Sequence, residues 1–433
     1  LEEILSIASR LSDGAEVFQI TSSRTPVQFE ANRLKQIQTK ESISTALRIV
    51  KSGRVGFAQA SGNIKPAELV NMALETCQFG HQANYQFPPR TPYKGVEIYD
   101  TTVERFSIVD MVDTGQTIID AVRSHTPEII CEGAISRSTA TCRIANTSGG
   151  QVSYHRSNFS ISMDGMLVRD GDILYVGDIL SSCHPVKEYK GLIDEIIRQL
   201  TLARHNASIR SGTFPVIFTP FGVSGALLSP LISAFNGKTV LDGASPLKDK
   251  QGAHVFDSKF SFYDDPTIPF QPGSTPCDDE GVPAVKNTLV EKGNIVQFYY
   301  DLHTAALAGT ESTGNGIRNG GLPSPAPHAL IINAGVTSRE DMIKQVREGL
   351  IIEQLMGAEQ GNILNGDFSG NVLLGYKIEN GEISGRVKDT MIHGNVYQLL
   401  REVAGLGSDA RWIAGVINTP SIYCPAISVS AKS

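Results

Sequence analysis

Nine histidines stand at positions 81, 125, 155, 184, 205, 254, 303, 328 and 393, and they are the side chains best suited to hold a transition metal or shuttle a proton. No two lie three, four or five residues apart, so no helical turn presents two imidazoles to one ion. A zinc helix contained in one segment is therefore not encoded, and each histidine reads singly as a hydrogen-bonded core or surface residue. No G-x-S-x-G elbow exposes a serine, and Cys77, Cys131, Cys142, Cys183, Cys277 and Cys424 include no CxxC pair. These thiols read as reduced and mostly buried, too sparse for a disulfide framework.

Two further stretches gather polar chemistry. GTESTGNGIRNGG at 309–321 could cradle an anion on successive backbone N–H groups. Gly314 is followed by Asn315 and Gly316 where a Walker loop needs Lys and then Ser or Thr, and Asn319 breaks the dinucleotide fingerprint. A structural or substrate-lining loop is expected. The run Cys277-Asp278-Asp279-Glu280, with Asp264 and Asp265 nearby, offers oxygens for a hard cation, but its spacing fits no Ca²⁺ loop. With Pro266, Pro269, Pro272, Pro276 and Pro283 around it, it reads as a solvated loop. Residue chemistry alone nominates no catalytic residue and no metal ligand.

The elements that would position these groups follow from apolar spacing. Ile4, Leu5, Ala8 and Leu11 form one helical stripe, ended by Asp13-Gly14. AEVFQITSS, TPVQFEANRLKQIQT and ISTALRIVKSGRVGFAQAS then alternate as strands around a turn at Ser52-Gly53. Pro66 opens a helix whose packed face is Leu69, Val70, Ala73, Leu74 and Cys77. The proline-rich stretch from 87 into about 105 is a connector. Ser107 and Asp110 cap a helix carrying Ile108, Val112, Ile119 and Val122. Strands EIICEGAISRS, TATCRIANTSG, QVSYHRSNFSISMDGMLV and ILYVGDILSS follow, then a helix near 188–205.

Beyond Ser211-Gly212 the chain turns Gly- and Pro-rich. TFPVIFT reads as a strand leading through Pro220-Phe221-Gly222 into a helix that ends at Asn236-Gly237. Asn380-Gly381 predicts a type I′ hairpin between VLLGYKI and EISGRV. Ser338 and Asp341 ahead of Met342, Val346, Leu350, Leu355 and Met356, with Gly357 as a left-handed cap, predict a helix over 338–357. The expected architecture is α+β: an N-terminal domain of sheet and flanking helices over 1–208, then a C-terminal domain over 212–433 rich in antiparallel strands with packed helices.

The 433 residues are 41% hydrophobic and 19% charged, which supports folded domains, two or three by a length prior of about 150 residues each. Lys+Arg number 38 against Asp+Glu 45, a net charge of -7, so attraction to a phosphate backbone is not expected. The most apolar run, ALLSPLISAF at 226–235, is too short to cross a bilayer and holds two Ser and a Pro. The amino end, LEEILSIASRLSD, is acidic where a secretory signal starts basic, so a cytoplasmic location is expected.

Several segments, taken in order, are similar to one family. TPVQFEANRLKQIQTKESISTALRIVKSGRVGFAQAS at 25–61, STGNGIRNGGLPSPAPHALIINAG at 312–335, GNILNGDFSGNVLLGYKIENGEISGRVKDTMIHGN at 361–395 and the late TPSIYCPAISVS resemble the TldD/PmbA family. That family is known as modulators of DNA gyrase and as components of a bacterial metalloprotease. The resemblance implies two types, a TldD type with an HExxxH helix and a later Cys as zinc ligands, and a PmbA/TldE type that lacks them and partners the first.

In the corresponding place this chain has GVSGALLSPLISAFNG at 222–237, with neither His nor Glu, and no Cys from Leu406 to Asp409. The resemblance therefore implies the PmbA/TldE type: a non-catalytic subunit that binds no zinc itself, pairs with a zinc-bearing TldD-like chain, and helps form a peptide-binding chamber for proteolysis or peptide maturation. Thr313, Gly314 and Asn315 are the expected groove residues. The alternative is a stand-alone homodimeric binding or scaffold protein of the same fold without protease activity.

Overall fold

The computed structural model describes residues 1–169 and 171–432. Helix α1 (Glu2–Leu11) leads into four strands, β1 (Gly14–Glu30), β2 (Arg33–Ile37), β3 (Lys40–Lys51) and β4 (Arg54–Ser61), and then α2 (Pro66–Thr76). Ser52 and Gly53, at φ 50° and 73°, make the left-handed turn between β3 and β4. After the connector come α3 (Thr101–Arg105), α4 (Ile108–His125), β5 (Ile130–Asn146), β6 (Gln151–Arg169), β7 (Asp172–Ser182) and α5 (Lys190–Leu202). Ser107 caps α4 by accepting from the Val109 and Asp110 N–H groups, as its spacing predicts.

These strands form one antiparallel sheet in the order β4-β3-β1-β5-β6-β7, with β2 beside the far end of β1. The paired segments expected as separate strands are continuous here. Pro26 falls where β1 changes neighbour from β3 to β2, and there the missing N–H costs the ladder little. Helices cover one face in two groups. Val17 packs with α1 and α2 through Ala8, Leu69 and Ala73, whereas Val27 and Phe29 pack with α4 through Met111 and Ile118.

The second half opens with β8 (Asn206–Ala207) and β9 (Gly212–Phe218), then α6 (Pro220–Ala226) and α7 (Leu228–Phe235). Strand β9 joins strands Glu348–Met356, Asp367–Glu379, Thr390–Asn395 and Ile422–Ala431 in a sheet that closes on itself, because Glu348–Met356 pairs with β9 on one side and with Asp367–Glu379 on the other. The hairpin at Asn380-Gly381 is present, with φ of 51° and 82°. A six-stranded sheet containing Phe262–Asp264 and Leu330–Ile332 shares its core with α6 and α7.

The architecture is α+β, as expected from the sequence, but the helix expected over 338–357 is not. Only Arg339–Lys344 is helical, and Glu348–Met356 is a strand. Its alternate residues serve two cores: Leu350 and Ile352 join the C-terminal cluster, and Ile351 joins the cluster holding α4 and α5. A strand buried on both faces reads as an unbroken apolar run, which mimics helical spacing. The composition change at 211–212 coincides with the start of β9, yet that second cluster joins Val27 to Tyr376 across it. Among the described residues no helix is long and apolar enough to cross a membrane.

Candidate functional site

Glu16 on β1 and Arg48 on β3 are direct cross-strand neighbours, and they meet Glu280 and Arg318 from the second half of the chain. Arg48 donates from Nη2 to Glu16 Oε2 at 3.0 Å and from Nη1 to Glu280 Oε1 at 2.6 Å. Arg318 donates to the other Glu16 oxygen, and the Leu302 N–H to Glu280 Oε2 at 2.8 Å. No member exceeds 4% side-chain exposure, so two cations and two anions balance inside the protein. Burial drives Glu16 above the ordinary carboxylate range, with Arg48 and Arg318 opposing. Tyr85 and Phe87, at the start of the proline-rich connector, lay their rings on the Arg48 guanidinium at 5.2 and 5.0 Å.

The acidic run is therefore not a solvated loop. Asp278 and Glu280 are fully buried and Cys277 nearly so. The glycine stretch supplies the reason: the Gly316 N–H donates to Asp278 Oδ2 and the Arg318 N–H to Asp279 Oδ2, both at 2.8 Å. A Cβ at Gly316 would sit 2.2 Å from the Glu280 carboxylate, so the residue must be glycine for this approach. The backbone cradle that the sequence suggested for an external anion holds internal carboxylates.

Thr313, Gly314 and Asn315 belong to that buried network. Asn315 donates to Asp264 Oδ2 at 2.6 Å and to the Ala326 carbonyl at 2.9 Å, and it is fully buried. Thr313 donates to Asn315 Oδ1 at 2.7 Å, and the Gly314 carbonyl lies 2.9 Å from His328 Nε2. In this chain the three fasten the loop, with Gly314 and Asn315 buried and Thr313 half-buried.

Two histidines from distant segments do converge. The His81 and His303 rings lie 3.9 Å apart between centroids. Burial, with Arg48 nearby, holds His81 below the usual imidazole range, and burial with His81 alongside holds His303 at about 4. Among the described residues no group of three or more His, Cys, Asp or Glu is arranged to hold a metal ion.

The segment 222–237 folds as α6 and α7, broken at Leu227, in place of one continuous helix. Val223, Ala226, Leu227, Leu231, Ala234 and Phe235 are all buried in the C-terminal core. Pro230, in the first turn of α7, and Ser229, bonded to Glu359 at 3.2 Å, complete a surface with no imidazole or carboxylate of its own. These residues do not fit a zinc ion.

An open cavity of about 850 Å³ lies on the N-terminal sheet. Thr21 and Ser23 share the parity of Val17 and Val27, so they lie on the helix-covered face, in the gap between its two helix groups. Register aligns Ile43, Thr21, Thr141 and His155 in one row across β3, β1, β5 and β6. Thr141 Oγ1 and His155 Nδ1 are 2.9 Å apart, and Tyr99 packs on the His155 ring at 5.4 Å. Hydroxyls floor the groove, Tyr99 and Glu104 stand on one side, and Lys40 and Glu41 are on its wall. Such a surface offers neutral donors and acceptors to an extended polar chain.

Comparison with known proteins places this geometry. The model of the PmbA/TldA metallopeptidase C-terminal domain matches residues 211–431, and that of domain 1 of the same family matches 15–77. The chain belongs to the TldD/PmbA family. Within it, an uncharacterised protein of Methanocaldococcus jannaschii is 26% identical over 98% of both chains. A metalloprotease TldD homolog of Buchnera aphidicola is 32% identical, but over 51% of this chain and 46% of its own length. The crystal structure of TldE from Thermococcus kodakarensis has the same fold, with a TM-score of 0.91 at 24% identity over 99% of both chains. This TldD/PmbA member thus keeps the family fold while its α6–α7 segment is filled by apolar packing.

Proposed function

We propose that this chain is the PmbA/TldE-like, non-catalytic subunit of a TldD-type zinc metalloprotease complex. The observation that carries the reading is the α6–α7 segment, whose side chains are committed to the core and supply no ligand or general base. A zinc peptidase needs a metal to lower the pKa of bound water and a carboxylate to take its proton, and here both come from an HExxxH-bearing partner. This chain contributes the hydroxyl-floored groove, which holds part of an extended peptide through neutral hydrogen bonds. The buried Glu16–Arg48–Glu280–Arg318 quartet fixes that groove relative to the C-terminal half.

The test is co-expression with a TldD-like chain, followed by metal analysis and peptidase assays on each chain and on the complex. The expected result is a heteromeric complex with zinc in the partner and cleavage only by the pair. Stoichiometric zinc and peptidase activity in this chain alone would overturn the reading. A stable homodimer that ignores any TldD-like chain would favour a stand-alone binding protein.

A further inference from the structure

A second, smaller pocket of about 160 Å³ opens where α5 meets the turn from β9 into α6. Its wall is heavily charged, and most of the charges are already matched. Arg198 pairs with Glu195 at 2.6 Å and with Oε1 of Glu353. Burial alone would push Glu195 up, but hydrogen bonding and charge from Arg198 hold it at about 2, so it stays ionised. Arg411 grips both oxygens of Asp178 and lies over the Phe221 ring at 5.4 Å. Asp409 accepts from the Ser421 N–H at 2.9 Å and hydroxyl at 2.7 Å.

Two groups remain unspent. Arg339 donates no hydrogen bond to any described residue; its side chain is 20% exposed, Asp409 lies 3.9 Å away, and its charge also reaches Glu195. Glu353 is 3% exposed, and its Oε2 accepts no hydrogen bond from the described residues. Neither group is sealed away without a partner; both reach the solvent of the pocket, where a guanidinium fork and a carboxylate oxygen can exchange water for a ligand's charged and N–H groups. Both line the same pocket, one asking for an anion and the other for an N–H donor.

We propose that this pocket binds the α-carboxylate of a small amino-acid unit, with the carboxylate on Arg339 and the adjacent nitrogen donating to Glu353. The volume admits a residue the size of alanine, and Phe221 forms an apolar wall for a short side chain. The same pair of contacts suits a free amino acid, whose nitrogen is an ammonium, or the last residue of a peptide, whose nitrogen is an amide. The pocket is built from this chain alone, so the inference does not depend on the proposed partner.

Calorimetric titration of the full chain with L-alanine, N-acetyl-L-alanine and L-alaninamide tests it. Binding of alanine but not of its acetyl derivative identifies a free amino acid, binding of both identifies a peptide carboxyl terminus, and either supports the site. Alaninamide, which lacks the carboxylate, is expected to bind at least ten-fold more weakly than the better of the other two. Arg339→Gln is expected to weaken binding ten-fold or more, with Arg339→Lys intermediate because it keeps the charge and loses the fork. Unfolding curves confirm that each variant is folded, and the alaninamide comparison needs no variant. The proposal is overturned if neither alanine nor its acetyl derivative binds by about 10 mM, if alaninamide binds equally well, or if folded Arg339→Gln binds unchanged.

Discussion

Arg48 and Glu280, 232 residues apart in sequence, share a hydrogen-bonded ion pair at 2.6 Å with both side chains almost wholly buried. The pair ties the N-terminal sheet to the loops of the second half. Removing one partner strands the other charge inside the protein. Arg48→Met is therefore expected to destabilise the chain by about 3–5 kcal/mol, read as a lower urea midpoint. Adding Glu280→Gln should cost less than the sum of the two single changes, because the second substitution removes the stranded charge.

His303 gives a pH signature. Its folded pKa, about 4, lies below the ordinary imidazole value of 6.5, so between those values the unfolded chain takes up a proton that the folded chain refuses. Its contribution is fully present above pH 6.5 and is lost as pH falls toward 4. Asp301, raised to about 6 chiefly by burial, acts in the opposite direction over nearly the same window. The useful measurement is thus a difference: wild type should lose more stability than His303→Gln between pH 6.5 and 4.5. Parallel urea midpoints across that range would contradict the assignment.

The groove makes a separate prediction, conditional on the proposed role. Thr21 and Thr141 sit opposite one another on its floor. Replacing both with Val keeps the shape and removes two hydroxyls, so stability should change little. Peptide turnover by the reconstituted pair should fall about three- to ten-fold, mainly through KM. Unchanged KM would show that peptide does not cross this surface.

Gly349 separates the observed strand from the helix that apolar spacing predicts. In a helix, Gly349→Ala would stabilise by about 1 kcal/mol. In the strand, a Cβ there would lie 2.5 Å from the Pro215 carbonyl oxygen and 2.7 Å from Val346 Cγ1. A loss of about 1–3 kcal/mol is expected instead, and thermal unfolding of one variant decides the matter.

The cysteines offer a labelling test. All six are free and buried, and burial pushes the Cys424 thiol up to about 12 and those of Cys131 and Cys183 to about 11. None should react with a thiol reagent in the native state at neutral pH, and all should react in denaturant. Rapid native labelling of any one would mark a local opening.

Local signals in the sequence foretold the caps at Ser107, the turns at Ser52-Gly53 and Asn380-Gly381, and the alternation in β1, β3 and β4, because each is decided within a few residues. The strand Glu348–Met356 was not legible, since its two burial faces belong to different cores assembled from distant segments. The same holds for the buried quartet. Glu16 lies between Ala15 and Val17, and Arg48 between Leu47 and Ile49, so charged residues inside apolar strands were the available signal. What they face, Glu280 and Arg318, depends on how the glycine stretch folds over the acidic run. The groove was also hidden, because its hydroxyl row exists only once four strands are in register.

The closed circuit of strands in the C-terminal half has a bearing on how this protein meets others. Each of its five strands is flanked on both sides for part of its length, so the main chain there is poorly suited to template a foreign strand. Recognition at that circuit must be written in side chains. Surface substitutions can then retune the choice of companion while the scaffold beneath stays as it is.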